Sequence, residues 1–144
     1  MYQNILFPVD VTEPSSWQAS LSVAIEYARQ FKATLHVLTI VPDLGMSIVA
    51  QYFPSNAEAK MIEETTAALH EFTAKHLPKD IAFRHIVAKG AVYQGVINTA
   101  EEIDADLILM EAHRPELKDY LLGPNAAKVV RHSKRSVLVV RAPN

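Results

Sequence analysis

The stretch "LILMEAHRPELKDYLLGPNAAKVVRHSKRSVLVV", residues 107–140, contains the pattern that decides the fold. An apolar run breaks at Glu111, a polar segment follows, and Gly123 precedes a short segment with helical periodicity. A second apolar run, Ser136–Val140, begins soon afterwards. Continuous apolar runs of this length are typical of parallel strands buried on both faces, so the stretch predicts a strand, a loop, a helix and a strand.

The rest of the chain repeats this alternation of apolar runs and helical patterns. Further strands are predicted at Ile5–Val9, Thr34–Val41, Ile81–Ala88 and Ala105–Met110. Helices are predicted from Trp17 to Phe31, with Ser15 and Ser16 as caps, and at Ala57–His76, Val92–Ile103 and Asn125–His132. The alternation predicts one α/β domain over residues 1–144, a three-layer sandwich of a five-stranded parallel sheet and four helices. The segment 43–56 has no clear period and is predicted to be a long loop that covers a site.

Composition and charge exclude several classes of protein. The 144 residues include 14 Lys and Arg against 16 Asp and Glu, so the net charge of −2 does not favour nucleic-acid binding. There is no cysteine, which excludes disulfides and thiolate chemistry. The six histidines lack metal-ligand spacing, so no metal site is expected from them. No signal peptide or membrane-length apolar run is visible, and we expect a cytoplasmic protein that does not insert into membranes.

The predicted topology places a ligand site at one edge of the sheet. In doubly wound α/β sheets, ligands lie beyond the carboxyl ends of the strands, where the strand order reverses. If the first and fourth strands are neighbours, the segments at that point are Pro8–Asp10 and Met110–Arg114.

Four segments together resemble the universal stress protein family over the whole chain. They are "NILFPVDVTEPS", "ATLHVLTIVP", "ADLILMEAHRP" and "LLGPNAAKVVRHSKRSVLVVR", and the last two look most like the F/G subclass. The resemblance implies a flavodoxin-like, Rossmann-like sheet of order 3-2-1-4-5 and a homodimer. In one branch of the family it also implies ATP binding.

The family's nucleotide pattern, G-x-x-G-(nine residues)-G-[ST], is only partly present. Anchored on the strand "LILM", its glycines fall on Glu111, Arg114 and Gly123, and its Ser or Thr falls on Pro124. F/G-type sequences also carry "HRP" in place of the second Gly, so Arg114 is a tolerated variation. Glu111 and Pro124 are the real departures from the pattern.

The resemblance and the residue chemistry together define the expected nucleotide site. Gly123 would bring the amide end of a helix close to phosphate, and Arg114 would clamp phosphate oxygens. Pro124 removes one N–H donor, which the amide of Asn125 would replace in part. Ile40 matches the position that contacts adenine through its backbone. The expected nucleotide-binding set is Pro8, Val9, Asp10, Ile40, Val41, Met110, Ala112, His113, Arg114, Gly123, Pro124, Asn125, Ser136 and Val137.

The roles of two carboxylates stay open at this point. Glu111 would repel phosphate, pair with Arg114, hold a Mg²⁺ ion, or turn to solvent. Asp10 matches a family position that faces the adenosine part of the ligand, yet a residue after a strand also commonly caps the following turn or helix.

Three functions are compatible with these features, and the first is favoured. The first is a dimeric module of the stress response that binds ATP or AMP, with or without Mg²⁺, and acts in signalling. The second is a stress-response interaction protein whose site is degenerate and empty. The third is a slow ATPase with His113 and Glu111 as acid–base groups, although no dedicated catalytic motif is present.

The last strand predicts the dimer interface. An apolar strand at the edge of a sheet invites pairing with another chain, and only three residues follow Arg141 to cover it. The dimer is therefore expected to form through Val137, Leu138, Val139 and Val140 of both copies.

Overall fold

The computed structural model describes residues 1–43, 56–112 and 123–142 and forms a three-layer α/β sandwich. The strands are β1 (Asn4–Pro8), β2 (Thr34–Val41), β3 (Ala82–Lys89), β4 (Leu107–Ala112) and β5 (Ser136–Arg141). The helices are α1 (Ser20–Phe31), α2 (Ala57–His76), α3 (Val92–Glu102) and α4 (Pro124–His132), and a short 3-10 turn at Pro14–Ser16 precedes α1. The loop predicted over 43–56 lies, from 44 to 55, outside the described residues.

All the strand pairs are parallel, and the sheet order is β3-β2-β1-β4-β5. The predicted fold class and strand order are therefore confirmed. The first strand lies between the second and the fourth because the chain moves outward from β1 to one edge and then returns to build the other half. This reversal places the carboxyl ends of β1 and β4 side by side.

Alternation along the strands divides the core between the two faces of the sheet. Ile5 and Phe7 of β1 pack with α1 and α2 on one face, whereas Leu6 packs with α3 and α4 on the other. All three side chains have no exposed surface. Burial on both faces explains why the strand sequence is continuously apolar.

One prediction about the first helix is wrong. Ser15 and Ser16 do not cap an α-helix; they lie in the 3-10 turn, and α1 begins later, at Ser20, with Ala19 as its N-cap residue. The hydroxyl of Ser16 accepts a hydrogen bond from the Asp10 backbone N–H at 2.9 Å and donates one to the Asp10 carbonyl at 3.0 Å. Ser16 therefore stabilises the backbone at the end of β1 and does not cap the start of α1.

Within the part of the chain that the structure describes, no helix is long and apolar enough to cross a membrane.

Candidate functional site

A cavity of about 320 Å³ lies where the carboxyl ends of β1 and β4 meet the start of α4. This is the position that the doubly wound topology predicts for a ligand. Its described walls are formed by Pro8, Val9, Asp10, Ser16, Leu38, Ile40, Val92, Met110, Glu111, Gly123, Pro124, Asn125 and Ala126. The volume is at the lower end of the range of roughly 300–1,000 Å³ that is usual for small-molecule sites.

One wall of the cavity is apolar and comes from β2 and α3. Leu38 and Ile40 are two residues apart on β2, so their side chains share one face of the sheet. Val92, the first residue of α3, closes this wall and is 41% exposed. A flat heterocycle would find apolar contact here.

The position of Ile40 depends on Gly95 of α3. A Cβ atom placed on Gly95 would lie 2.5 Å from Cδ1 of Ile40, which is far inside contact distance. Gly95 therefore lets α3 pack closely against β2, and this requirement explains a glycine inside a helix despite its cost of about 1 kcal/mol.

The start of α4 forms the opposite side of the cavity. Gly123 is the N-cap residue, no side chain caps the helix, and Pro124 occupies the first helical position. Pro124 has no N–H, but the backbone N–H groups of Asn125 and Ala126 belong to the first turn and have no carbonyl partner within the helix. With the helix dipole, they provide an anion-favouring end of the cavity.

The carboxylate of Asp10 organises the loop that follows β1. Its Oδ1 accepts hydrogen bonds from the backbone N–H of Thr12 at 3.0 Å and from the Thr12 hydroxyl at 2.7 Å. Asp10 is exposed and also lines the cavity. The turn-capping role considered for it is therefore present, while one side of the residue still faces the site.

Glu111 has a structural role that its sequence position did not reveal. Its Oε1 accepts hydrogen bonds from the backbone N–H groups of Ala19 at 2.9 Å and Ser20 at 2.7 Å. The residue is only 8% exposed, so the interpretation that it turns to solvent is wrong. Glu111 caps α1 from the end of β4, and it forms part of the cavity wall.

Several members of the expected nucleotide-binding set line the cavity together. These are Pro8, Val9, Asp10, Ile40, Met110, Gly123, Pro124 and Asn125. Sequence reasoning missed Ser16, Leu38, Val92 and Ala126. Strand alternation was a usable signal for Leu38, because it shares a face with Ile40, whereas nothing local marked Ser16 or Val92.

Other members of the set lie elsewhere. Val41 is buried on the opposite face of β2 from Ile40, and its carbonyl accepts a hydrogen bond from Gly90 at 2.8 Å. Ser136 and Val137 pair with Leu107 and Ile108, at the amino end of β4 and therefore at the far end of the sheet from the cavity. Ala112 ends β4 without lining the cavity. His113 and Arg114 lie outside the described residues.

No group of three or more His, Asp or Glu side chains in residues 1–43, 56–112 and 123–142 is placed to hold a metal ion. Glu111, weighed as a Mg²⁺ ligand, directs Oε1 to two backbone amides.

The fold and the cavity define a doubly wound α/β protein with a cavity where its strand order reverses. The universal stress protein family model matches residues 1–141, and the chain belongs to that family. Universal stress protein G of Salmonella typhimurium (strain LT2) is 30% identical over 144 residues, covering 98% of this chain and 100% of that protein. Universal stress protein MJ0577 of Methanocaldococcus jannaschii is 26% identical, covering 100% of this chain and 98% of that protein. The family resemblance seen in the sequence is confirmed, and relatives named universal stress protein G are consistent with the F/G subclass.

Solved structures show the same fold. The structure of MJ0577 matches with a TM-score of 0.75 at 23% identity, covering 100% of this chain and 99% of that chain. A universal stress protein in complex with cAMP matches with a TM-score of 0.62 at 24% identity, covering 99% of this chain and 98% of that one.

Proposed function

We propose that this chain is a dimeric adenine-nucleotide binding module of the cytoplasm that acts in stress signalling rather than in metabolism. The observation that carries the proposal is the cavity in which an apolar wall faces the uncapped start of α4. The family membership supports it, as does the cAMP that a neighbouring structure of the same fold holds.

The two sides of the cavity suit the two ends of a nucleotide. The base would lie against Leu38, Ile40 and Val92, where apolar contact is available. A phosphate would accept hydrogen bonds from the N–H groups of Asn125 and Ala126. Arg114, expected to clamp phosphate, lies outside the described residues and stays a prediction.

The binding site can be tested by closing the mouth of the cavity. Val92 and Val130 are both exposed valines on helices, at 41% and 46%, but only Val92 lines the cavity. Val92→Trp should abolish adenine-nucleotide binding in calorimetric titration, whereas Val130→Trp should leave it unchanged. Mass spectrometry of acid-quenched protein would identify any nucleotide that copurifies. Failure of adenosine, AMP and ATP to bind at millimolar concentration would overturn the proposal.

The dimer proposal depends on the outer edge of β5. Among the described residues β5 pairs with β4 alone, and its other edge carries backbone groups without a strand partner. Its side chains are half-buried: Val137 and Val139 pack toward α4, and Leu138 and Val140 pack toward α1. The β5 strand of a second copy would supply hydrogen-bond partners for the backbone groups of this edge. It would also cover the rest of the apolar surface.

A second candidate is an interaction protein with a degenerate site, and Glu111 favours it. A carboxylate in the cavity wall and a proline at the first turn of α4 both weaken phosphate binding. This candidate predicts no adenine ligand but an intact dimer. Slow ATP hydrolysis has less support, because Oε1 of Glu111 already accepts two hydrogen bonds from backbone amides.

A further inference from the structure

The carboxylate of Glu111 is fixed in the wall of the cavity rather than free to move aside. Glu111 lies on the buried strand β4, and its Oε1 accepts hydrogen bonds from the N–H groups of Ala19 and Ser20 at 2.9 and 2.7 Å. Rotating the side chain out of the wall would leave two donors at the start of α1 without partners. Unsatisfied donors of this kind are costly in a buried setting, so the carboxylate stays where it is.

The charged side chains of the described wall are all acidic. They are Asp10 and Glu111, and this part of the wall contains no Lys or Arg. Each phosphate added to a nucleoside brings further negative charge, and repulsion between like charges is strong when they are close and poorly screened. The described wall therefore disfavours a long phosphate chain.

The start of α4 has backbone N–H donors for an anion with a single phosphate group. Pro124 removes one N–H from the first turn, and the N–H groups of Asn125 and Ala126 remain. Two adjacent amides at a helix N-terminus suit a single phosphate group. A second and a third phosphate would have to find their partners beyond this turn.

We infer that the cavity selects its adenine ligand by a low phosphate count, taking a nucleoside or nucleoside monophosphate in preference to ATP, and that Glu111 is the residue that sets this limit. The inference rests on the proposed function, because it assumes that the cavity takes an adenine ligand. With this preference, the site would respond to the concentration of adenosine or AMP rather than to that of ATP.

The test compares adenosine, AMP and ATP on the full chain by calorimetric titration. Wild-type protein should bind AMP or adenosine more tightly than ATP, both with Mg²⁺ and with a chelator. Glu111→Gln removes the charge and keeps an oxygen that can accept the two hydrogen bonds from α1. The ATP-to-AMP affinity ratio should therefore rise about tenfold in this variant. Glu63→Gln, which removes an exposed carboxylate on α2, should leave the ratio unchanged.

The outcomes separate this inference from the proposed function. Tightest binding of ATP by wild-type protein, with or without Mg²⁺, would overturn the inference and leave the proposed function standing. An unchanged ATP-to-AMP ratio in Glu111→Gln would overturn the role of Glu111. Absence of binding by all three compounds would overturn both the inference and the proposed function.

Discussion

Oε1 of Glu111 accepts a hydrogen bond of 2.7 Å from the backbone N–H of Ser20, and this contact joins the end of β4 to the start of α1. The two residues are 91 positions apart in the chain. Neither Ala19 nor Ser20 supplies a cap to α1 through its own side chain, so the helix depends on a distant carboxylate. The same residue lines the cavity, which links the stability of α1 to the electrostatics of the site.

The first prediction concerns this cap. Glu111→Ala should lower the free energy of unfolding by about 1–3 kcal/mol, because two N–H donors at the start of α1 lose their acceptor. Glu111→Gln should cost clearly less, since an amide oxygen can accept the same bonds. Urea denaturation followed by circular dichroism measures both variants. Equal losses in the two variants would mean that the carboxylate charge, rather than the hydrogen bonds, stabilises α1.

The second prediction concerns pH and the contact between α2 and β3. The ring of His85 stacks on that of His70 at 3.7 Å, and its Nε2 lies 2.6 Å from the Thr73 hydroxyl. Burial lowers the pKa of His85 below its ordinary value of 6.5, and the nearby His70 lowers it further. Below pH 6.5 the unfolded chain therefore binds more protons at this residue than the folded chain does. This contribution to stability is full above pH 6.5 and is lost progressively as the pH falls from 6.5 through the lowered pKa of folded His85.

The measurement for His85 is the free energy of unfolding in urea from about pH 8 to about pH 5. His85→Gln should flatten the decline at acidic pH, whereas His132→Gln, an exposed control on α4, should leave it unchanged. Part of the decline should persist in His85→Gln, because burial and then Arg84 also lower the pKa of His36. An equally steep decline in the His85 variant would contradict the prediction.

The third prediction tests the close packing of α3 on β2. Gly95→Ala places a methyl group 2.5 Å from Cδ1 of Ile40, so the Ile40 side chain must shift in the cavity wall. The helix gains about 1 kcal/mol from the loss of glycine, and the forced contact costs about 1–3 kcal/mol. We expect a net loss of stability of about 0–2 kcal/mol, and a roughly tenfold loss of adenine affinity. Gln94→Ala, exposed on the same helix, is the control, and equal affinities in both variants would show that Ile40 does not contact the ligand.

The fourth prediction concerns the first turn of α4. Pro124→Ala restores one backbone N–H, and Pro124→Ser restores the N–H and adds a hydroxyl. Each regained hydrogen bond to a charged phosphate is worth about 1.5–3 kcal/mol, so AMP affinity should rise by about ten- to a hundred-fold per bond. Adenosine affinity should stay constant, because adenosine has no phosphate. A parallel gain for adenosine would show that the substitution acts through the fold of the helix instead.

The fifth prediction tests the proposed dimer. Leu138→Lys places a charge on the apolar edge strand and should convert the dimer to monomer in sedimentation velocity. Val130→Lys adds the same charge to an exposed position on α4 and should leave the dimer intact. Circular dichroism should show that both variants are folded. A Leu138→Lys protein that sediments as wild type would exclude this edge as the interface.

The sequence predicted those parts of the fold that depend on local periodicity. The bounds of β2 and α2 agree with the structure, because a run rich in Leu, Val, Ile and Thr ends before Pro42 and a long amphipathic segment ends before Pro78. The start of α1 was predicted too early, at Trp17, because serines before a helical pattern resemble caps. In the structure Ser16 bonds to Asp10, a contact that depends on how the chain turns after β1.

The sequence by itself determined that strands and helices alternate, that the sheet is parallel, and that Gly123 precedes a helix that starts at the carboxyl end of the strands. These properties follow from the spacing of apolar residues and from backbone chemistry, which are local. Only the tertiary structure decided what Glu111 does and which residues share the cavity. The carboxylate of Glu111 at the end of β4 accepts hydrogen bonds from residues at the start of α1, far away in the chain. No local pattern in the sequence indicates that these two segments lie side by side in the fold.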